Sequence, residues 1–259
     1  GKHRMPETGY RGWAFYPSEL FPGRMEIGCP DPLEAILSAA DELGMAVLPG
    51  IGMYAWFDFT PESLDWHCRV AREVWKRYGH HRSFYGWYIS EEVFGDLNRG
   101  TKTPEEIVAF FRGFGKLRDE LDPTLPVMLA PNCFGVPSAL DSWKLLAREL
   151  DILCPFGFNR MPEGDLAPEQ AIALMQSIAD ENGAHLWLDM EIFLFKEDMA
   201  LYPRPVDEIF YELENYRSFE KVLCYQFPGL LNAPGSRLTP GGPDTVKLYC
   251  DYRRRIHAD

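Results

Sequence analysis

Two apolar, strand-like runs of this chain end in carboxylates. The first is Gly86-Trp87-Tyr88-Ile89-Ser90-Glu91-Glu92, and the second is His185-Leu186-Trp187-Leu188-Asp189-Met190-Glu191. A charge at the end of a buried strand is costly to leave unpartnered, so such groups are either held by neighbours or used for chemistry. Two of them, on two strands of one sheet or barrel, suit an acid and a nucleophile or base acting on a substrate held between them. The competing reading is that strand-end carboxylates cap helices, and one of Glu91 and Glu92 is expected to do that.

Side-chain alternation separates neighbouring carboxylates, because successive residues of a strand point to opposite faces. In the second run Trp187, Asp189 and Glu191 share one face, while Leu186, Leu188, Met190 and Ile192 form an apolar face suited to outer helices. Asp189 and Glu191 are therefore expected to point inward, with Glu191 nearer the open end. In the first run Trp87, Ile89 and Glu91 share one face, and Gly86, Tyr88, Ser90 and Glu92 the other. The second set is smaller and more polar, as an interior near an active site would be, which favours Glu92 over Glu91.

The elements that must position these groups alternate along the chain. Helix starts are marked by Asp31-Pro32, Thr60-Pro61 and Thr103-Pro104, each a capping residue before proline. Asp31/Glu34 and Thr103/Glu106 also have capping-box spacing. Apolar residues then recur at helical period, as in Ile107, Phe110, Phe111, Phe114, Leu117 and Leu121. Gly44 and Gly79 read as helix stops. Strands are predicted near residues 11–16, 46–52, 84–91, 126–131, 151–157, 186–192 and 221–227, with further helices near 138–149, 168–182, 206–219 and 243–256.

Alternating strands and helices imply parallel strands with crossover helices. No GxGxxG turn supports a dinucleotide-binding sheet. The expectation is an α/β fold, a TIM (β/α)8-type barrel, in one domain over residues 1–259. Only seven strands are found, so the first βα unit is either missing or irregular.

In such a barrel the strands' C-terminal ends carry the site. Tyr54, Trp56, Asn132, Asn159 and Gln226 fall there. Aromatic faces stack on sugar rings, and amides and carboxylates bind hydroxyls, so this set suits a carbohydrate. The net charge of −13 argues against nucleic acid or an anionic membrane surface as partner. No apolar run is long enough to span a bilayer. A soluble protein is expected; a secreted or periplasmic one with its signal removed fits the opening Gly1-Lys2-His3-Arg4, and localisation and oligomeric state stay open. The six cysteines form no CxxC pair, and Cys154 and Cys224 read as buried free thiols. His80-His81 is a doublet on a turn, where adjacent residues seldom share one metal, so neither a metal nor another cofactor is expected.

Gly86 to Glu92 resembles the fourth-strand signature of retaining clan A glycoside hydrolases, where a strand ends in Asn-Glu and the Glu is the acid/base. Glu92 falls on that Glu, and Glu91 departs from the Asn. Trp187 to Glu191 resembles the seventh-strand segment with the nucleophile, at Glu191. Leu33 to Tyr54 and His80 to Ile89 are similar, more closely, to the bacterial domain of unknown function numbered 4434, whose members are glycoside-hydrolase-like barrels. In that family Trp13 to Pro22 would be the second strand and its loop.

The resemblance implies a glycoside hydrolase with Glu92 as acid/base and Glu191 as nucleophile. Glu91, Asp189, Asn132, Tyr54, Trp56, Asn159 and Gln226 would be substrate or supporting contacts. The rivals are a carbohydrate-binding barrel without catalysis and a metal-dependent isomerase or lyase on the same fold.

Overall fold

A computed structural model describes residues 13–21, 23–52, 57–98 and 103–257. The contacts divide the chain into two compact units. The first comprises residues 1–153 with 177–185, and the second residues 154–176 with 186–259.

The first unit is a run of parallel strands joined by helices. In chain order it holds β1 (Trp13–Ala14), β2 (Gly23–Arg24), α1 (Pro32–Leu43), β3 (Gly50–Ile51), α2 (Pro61–Tyr78), β4 (Trp87–Ile89), α3 (Pro104–Leu121), β5 (Val127–Leu129), α4 (Leu140–Ala147) and β6 (Ile152–Leu153). Strands β3, β4, β5 and β6 lie side by side and parallel, in registers such as Ile51↔Ile89, Ile89↔Leu129 and Leu129↔Leu153. β1 pairs with β2 in a separate parallel pair. The chain just after β1 is tied to α2, where the Glu73 carboxylate accepts from Tyr16 (2.7 Å), Ser18 (2.6 Å) and the Glu19 amide (2.6 Å).

Helix starts follow their sequence signals with one informative exception. Asp31, Thr60 and Thr103 each accept a backbone N–H three residues on. Thr103 and Glu106 complete the reciprocal capping box. Glu34 instead turns its carboxylate to His81 and Ser38. Gly44 ends α1 in the left-handed conformation, as expected of a C-terminal glycine. Gly79 ends α2 as expected but with helical dihedrals (φ −64°); a Cβ there would lie 2.6 Å from the Trp75 ring, so it is close packing that requires glycine. The core against the sheet is aromatic. Trp87 meets Phe84 and Phe114 at centroid distances of 4.9 and 6.2 Å, and Phe110 meets Phe59 at 5.3 Å.

The second unit holds the longest strand, β7 (His185–Glu191), of which residues 186–191 belong to this unit, and β10 (Lys221–Tyr225) parallel to it, from Lys221↔Trp187 to Tyr225↔Glu191. A hairpin of β8 (Phe193–Phe195) and β9 (Leu201–Pro203), α6 (Val206–Asn215), the short α7 (Phe227–Leu230) and α8 (Pro243–Ile256) complete it. Helix α5 (Pro168–Asn182) precedes β7 in the chain.

The described strands of the α/β series therefore number six, four in the first unit and two in the second; they are six of the seven runs read from sequence, and a full eight-stranded barrel is not seen among the described residues. The segment read as the first strand contributes only β1, and its partner is β2. The antiparallel β8–β9 hairpin was not foreseen. Cys154 is buried as expected, but Cys224 is exposed, on a strand most of whose residues are exposed. No described helix is long and apolar enough to cross a membrane.

Gly86 shows how closely β4 and β5 approach. A Cβ at Gly86 would lie 2.4 Å from the Pro126 carbonyl oxygen, which accepts the Trp87 N–H at 2.7 Å. Gly86→Ala must separate the two strands, and a loss of about 1–3 kcal/mol is expected for such overpacking. Gly28→Ala, where nothing lies within 4 Å, should be near neutral. Urea unfolding of the two variants checks this; equal midpoints would refute the close approach.

Candidate functional site

The strand ends of each unit carry their own set of polar groups. In the second unit the alternation along β7 holds. Leu186, Leu188 and Met190 are buried on one face, and Asp189 and Glu191 lie on the other. Glu191 is itself buried, and its charge is met by Arg160. Arg160 Nε donates to both carboxylate oxygens (3.0 and 3.1 Å), and a terminal nitrogen donates to Oε1 at 2.8 Å. This charge-assisted fork fixes both the position and the plane of the carboxylate. The guanidinium carbon lies 5.9 Å from the Phe156 ring and 5.7 Å from the Phe195 ring, within cation–π range.

A second arginine holds the strand end from its backbone. Arg204 donates to the Glu191 carbonyl at 2.8 Å and pairs with Glu212 at 3.2 Å. Burial raises Glu212 above the usual carboxylate range, an effect that Arg204 opposes. Among the described residues no cation pairs with Asp189. Burial, and then the charge of Glu191, push it up to about 7. A carboxyl shifted this far can carry a proton near neutral pH, and so can donate a hydrogen bond or exchange a proton. Asn159 lies in a 3-10 turn (Phe158–Arg160), and Gln226 directly follows Tyr225, the cross-strand partner of Glu191; both are partly exposed.

In the first unit β4 also divides as expected. Trp87, Ile89 and Glu91 are buried, while Tyr88, Ser90 and Glu92 are partly accessible. Glu91 is packed inside, with an oxygen 3.6 Å from His67 Nε2 of α2. Burial lowers His67 to about 4, so its ring is neutral at pH 7, and Nδ1 donates to the Ser63 carbonyl at 2.7 Å. Glu91 thus lies in the strand–helix interior.

Asn132 is likewise buried and occupied. Its side-chain oxygen accepts from the backbone amides of Gly95 and Phe134, both at 3.1 Å, and its backbone N–H donates to the Val93 carbonyl at 3.0 Å. Trp143 Nε1 donates to the Gly95 carbonyl at 2.6 Å. Together they pin the loop after β4, which carries Glu92. Tyr54 and Trp56 lie outside the described residues.

Arg160 is the residue that sequence reasoning missed. Its one signal is position, next to Asn159 just beyond a strand end, in a chain whose neighbouring strand ends in a carboxylate. Among the described residues, the side chains able to hold a metal as a group of three are Glu34, His80 and His81 of the first unit, away from the strand-end carboxylates in sequence.

A family model described as "Domain of unknown function (DUF4434)" matches residues 5–238. No curated protein matches the chain. Among solved structures, the chain is similar to a "putative alpha-L-fucosidase" from Bacteroides thetaiotaomicron VPI-5482, with a TM-score of 0.75 and 22% identity over 96% of this chain and 80% of that one. It is also similar to a beta-glucuronidase from Bacteroides uniformis, with a TM-score of 0.51 and 17% identity over 78% of this chain. That match spans 26% of the larger protein. At these identities the likeness is one of fold.

The Asp189 environment has a sign that can be tested. Its folded pKa of about 7 lies above the ordinary value of about 3.9. The folded state therefore holds this proton more tightly than the unfolded chain, and stability is lost as pH rises from roughly 4 through 7. Asp189→Asn, which cannot ionise, should melt higher than the parent at pH 8 and close to it at pH 4. Calorimetric melting temperatures at both pH values check this. A gap that does not change with pH would refute the raised pKa.

Proposed function

We propose, for a chain that belongs to the DUF4434 family, cleavage of a glycosidic bond in an oligo- or polysaccharide, with Glu191 as the nucleophile. The observation that carries this reading is β7 itself. It presents Asp189 and Glu191 on one face, and the Glu191 carboxylate is oriented by Arg160 beside two aromatic rings. A carboxylate fixed in one plane can attack an anomeric carbon along a defined line. The glycosidase likeness of the fold supports the substrate class.

The acid/base assignment rests on its own unit. Glu92 is the carboxylate on the accessible face of β4, and its loop is held by Asn132 and Trp143. In this reading it protonates the leaving oxygen and then activates water, the role a retaining mechanism requires. Asp189, Asn159 and Gln226 are proposed contacts for sugar hydroxyls. Glu91 is not, because its carboxylate is enclosed with His67.

One observation favours a second reading, a carbohydrate-binding protein without turnover. Arg160 engages both oxygens of Glu191, and attack requires one of them to be released. The two readings separate on a broad glycan panel. The hydrolase reading expects turnover, with a loss of about a hundredfold to ten-thousandfold in Glu92→Gln and in Glu191→Gln. In Glu191→Ala, added azide should restore cleavage of an activated glycoside and yield a glycosyl azide, detected by mass spectrometry. Retained binding without turnover in the parent would select the second reading. Near-normal activity of Glu191→Gln would reject this nucleophile.

A further inference from the structure

We propose that Glu34, His80 and His81 form a binding site for a zinc ion on the first unit. One ligand atom from each residue, a carboxylate oxygen and two ring nitrogens, lies within 4.8 Å of the others. His81 Nε2 is 3.2 Å from Glu34 Oε2. Bonds of about 2.0–2.1 Å to a tetrahedral zinc set neighbouring ligand atoms roughly 3.3–3.4 Å apart. That pair is thus already at ligand spacing. His80 stacks beside His81, with ring centroids 4.2 Å apart and planes inclined by 35°. Adjacent residues on a turn seldom share one metal, but this doublet presents two rings side by side.

The supporting contacts are those of a built site. His81 is buried, and its Nδ1 is bonded to Asp41 Oδ2 at 2.7 Å. A carboxylate on one ring nitrogen fixes the tautomer and aims the other nitrogen at a metal. Asp41 is itself held by the Ser83 amide at 2.7 Å. Glu34 is steadied by Ser38, whose hydroxyl donates to Oε1 at 3.0 Å and leaves Oε2 to face the histidines. This arrangement also accounts for the incomplete capping box at α1. Glu34 has box spacing from Asp31, yet its side chain is directed to His81.

The donor set chooses the ion. Two imidazoles and one carboxylate suit zinc and similar borderline cations. Calcium takes six to eight oxygens and magnesium keeps an octahedral oxygen shell, which two ring nitrogens do not provide. Three protein ligands leave a fourth tetrahedral position for water. His80 and Glu34 are exposed, so their side chains can rotate to close the separations, whereas His81 is fixed by Asp41. A bound ion would cross-link the first turn of α1 to the turn that follows α2.

The test titrates the chelator-stripped full chain with Zn2+ by calorimetry and with Co2+ by visible absorption. The parent should bind one equivalent of Zn2+, give the intense visible bands of tetrahedral Co2+, and melt higher when Zn2+ is present. Because His81 is buried and its replacement can unfold the chain, the exposed ligands are varied instead. His80→Ala and Glu34→Gln should each weaken binding at least tenfold and lose the Co2+ bands. Asp41→Asn, which loosens the aim of His81, should weaken it by about 10–100-fold. Absence of saturable Zn2+ binding in the parent overturns the proposal. So does undiminished binding in His80→Ala and Glu34→Gln.

Discussion

A carboxylate that ends a buried strand must be met by a cation, placed beside a polar neighbour, or given a proton, because an isolated charge there is too costly. Each solution occurs in this protein. Glu191 is met by the Arg160 fork, Glu91 sits beside the enclosed ring of His67, and Asp189 is pushed toward the protonated form. The sequence places these groups within a few residues of one another on their strands, yet their environments differ sharply. That difference separates a fixed, charged group from a proton-exchanging one. Glu91 is enclosed, while Glu92 beside it is partly accessible.

Much of the fold was legible because its signals are local. Prolines behind Asp31, Thr60 and Thr103 mark helix starts that the structure shows, since capping depends only on neighbouring residues. The division of β4 into a buried face and an accessible one, and of β7 into an apolar face and a carboxylate face, follows from alternation alone. Gly79 ends α2 as read, although its dihedrals are helical and it is the Trp75 ring four residues earlier that excludes a side chain. Signals that depend on what lies across space failed. Glu34 has the spacing of a capping box, but His81, 47 residues on, draws its carboxylate away.

The site shows the same split between local and distant information. Asp189 and Glu191 fall on one face as periodicity requires, while their unlike surroundings come from Arg160, a loop residue that no period predicts. Asn132 sits after its strand as expected, but its side chain is spent on backbone amides of two loops. Each of the seven runs read as a strand contains one, but the pairing of β1 with β2 and the β8–β9 hairpin were not legible, because segments of two or three residues carry too little alternation to reveal a partner.

The tether made by Asn132 and Trp143 has a consequence for how this protein can change. The loop from Val93 to Asn98 is held at the Val93 carbonyl and at both the amide and the carbonyl of Gly95. Its conformational entropy is therefore lost during folding, and little remains to be lost when a ligand arrives. An insertion in this stretch would forfeit those contacts, although surface loops ordinarily tolerate added length. Diversification here is channelled into the exchange of side chains on a constant backbone.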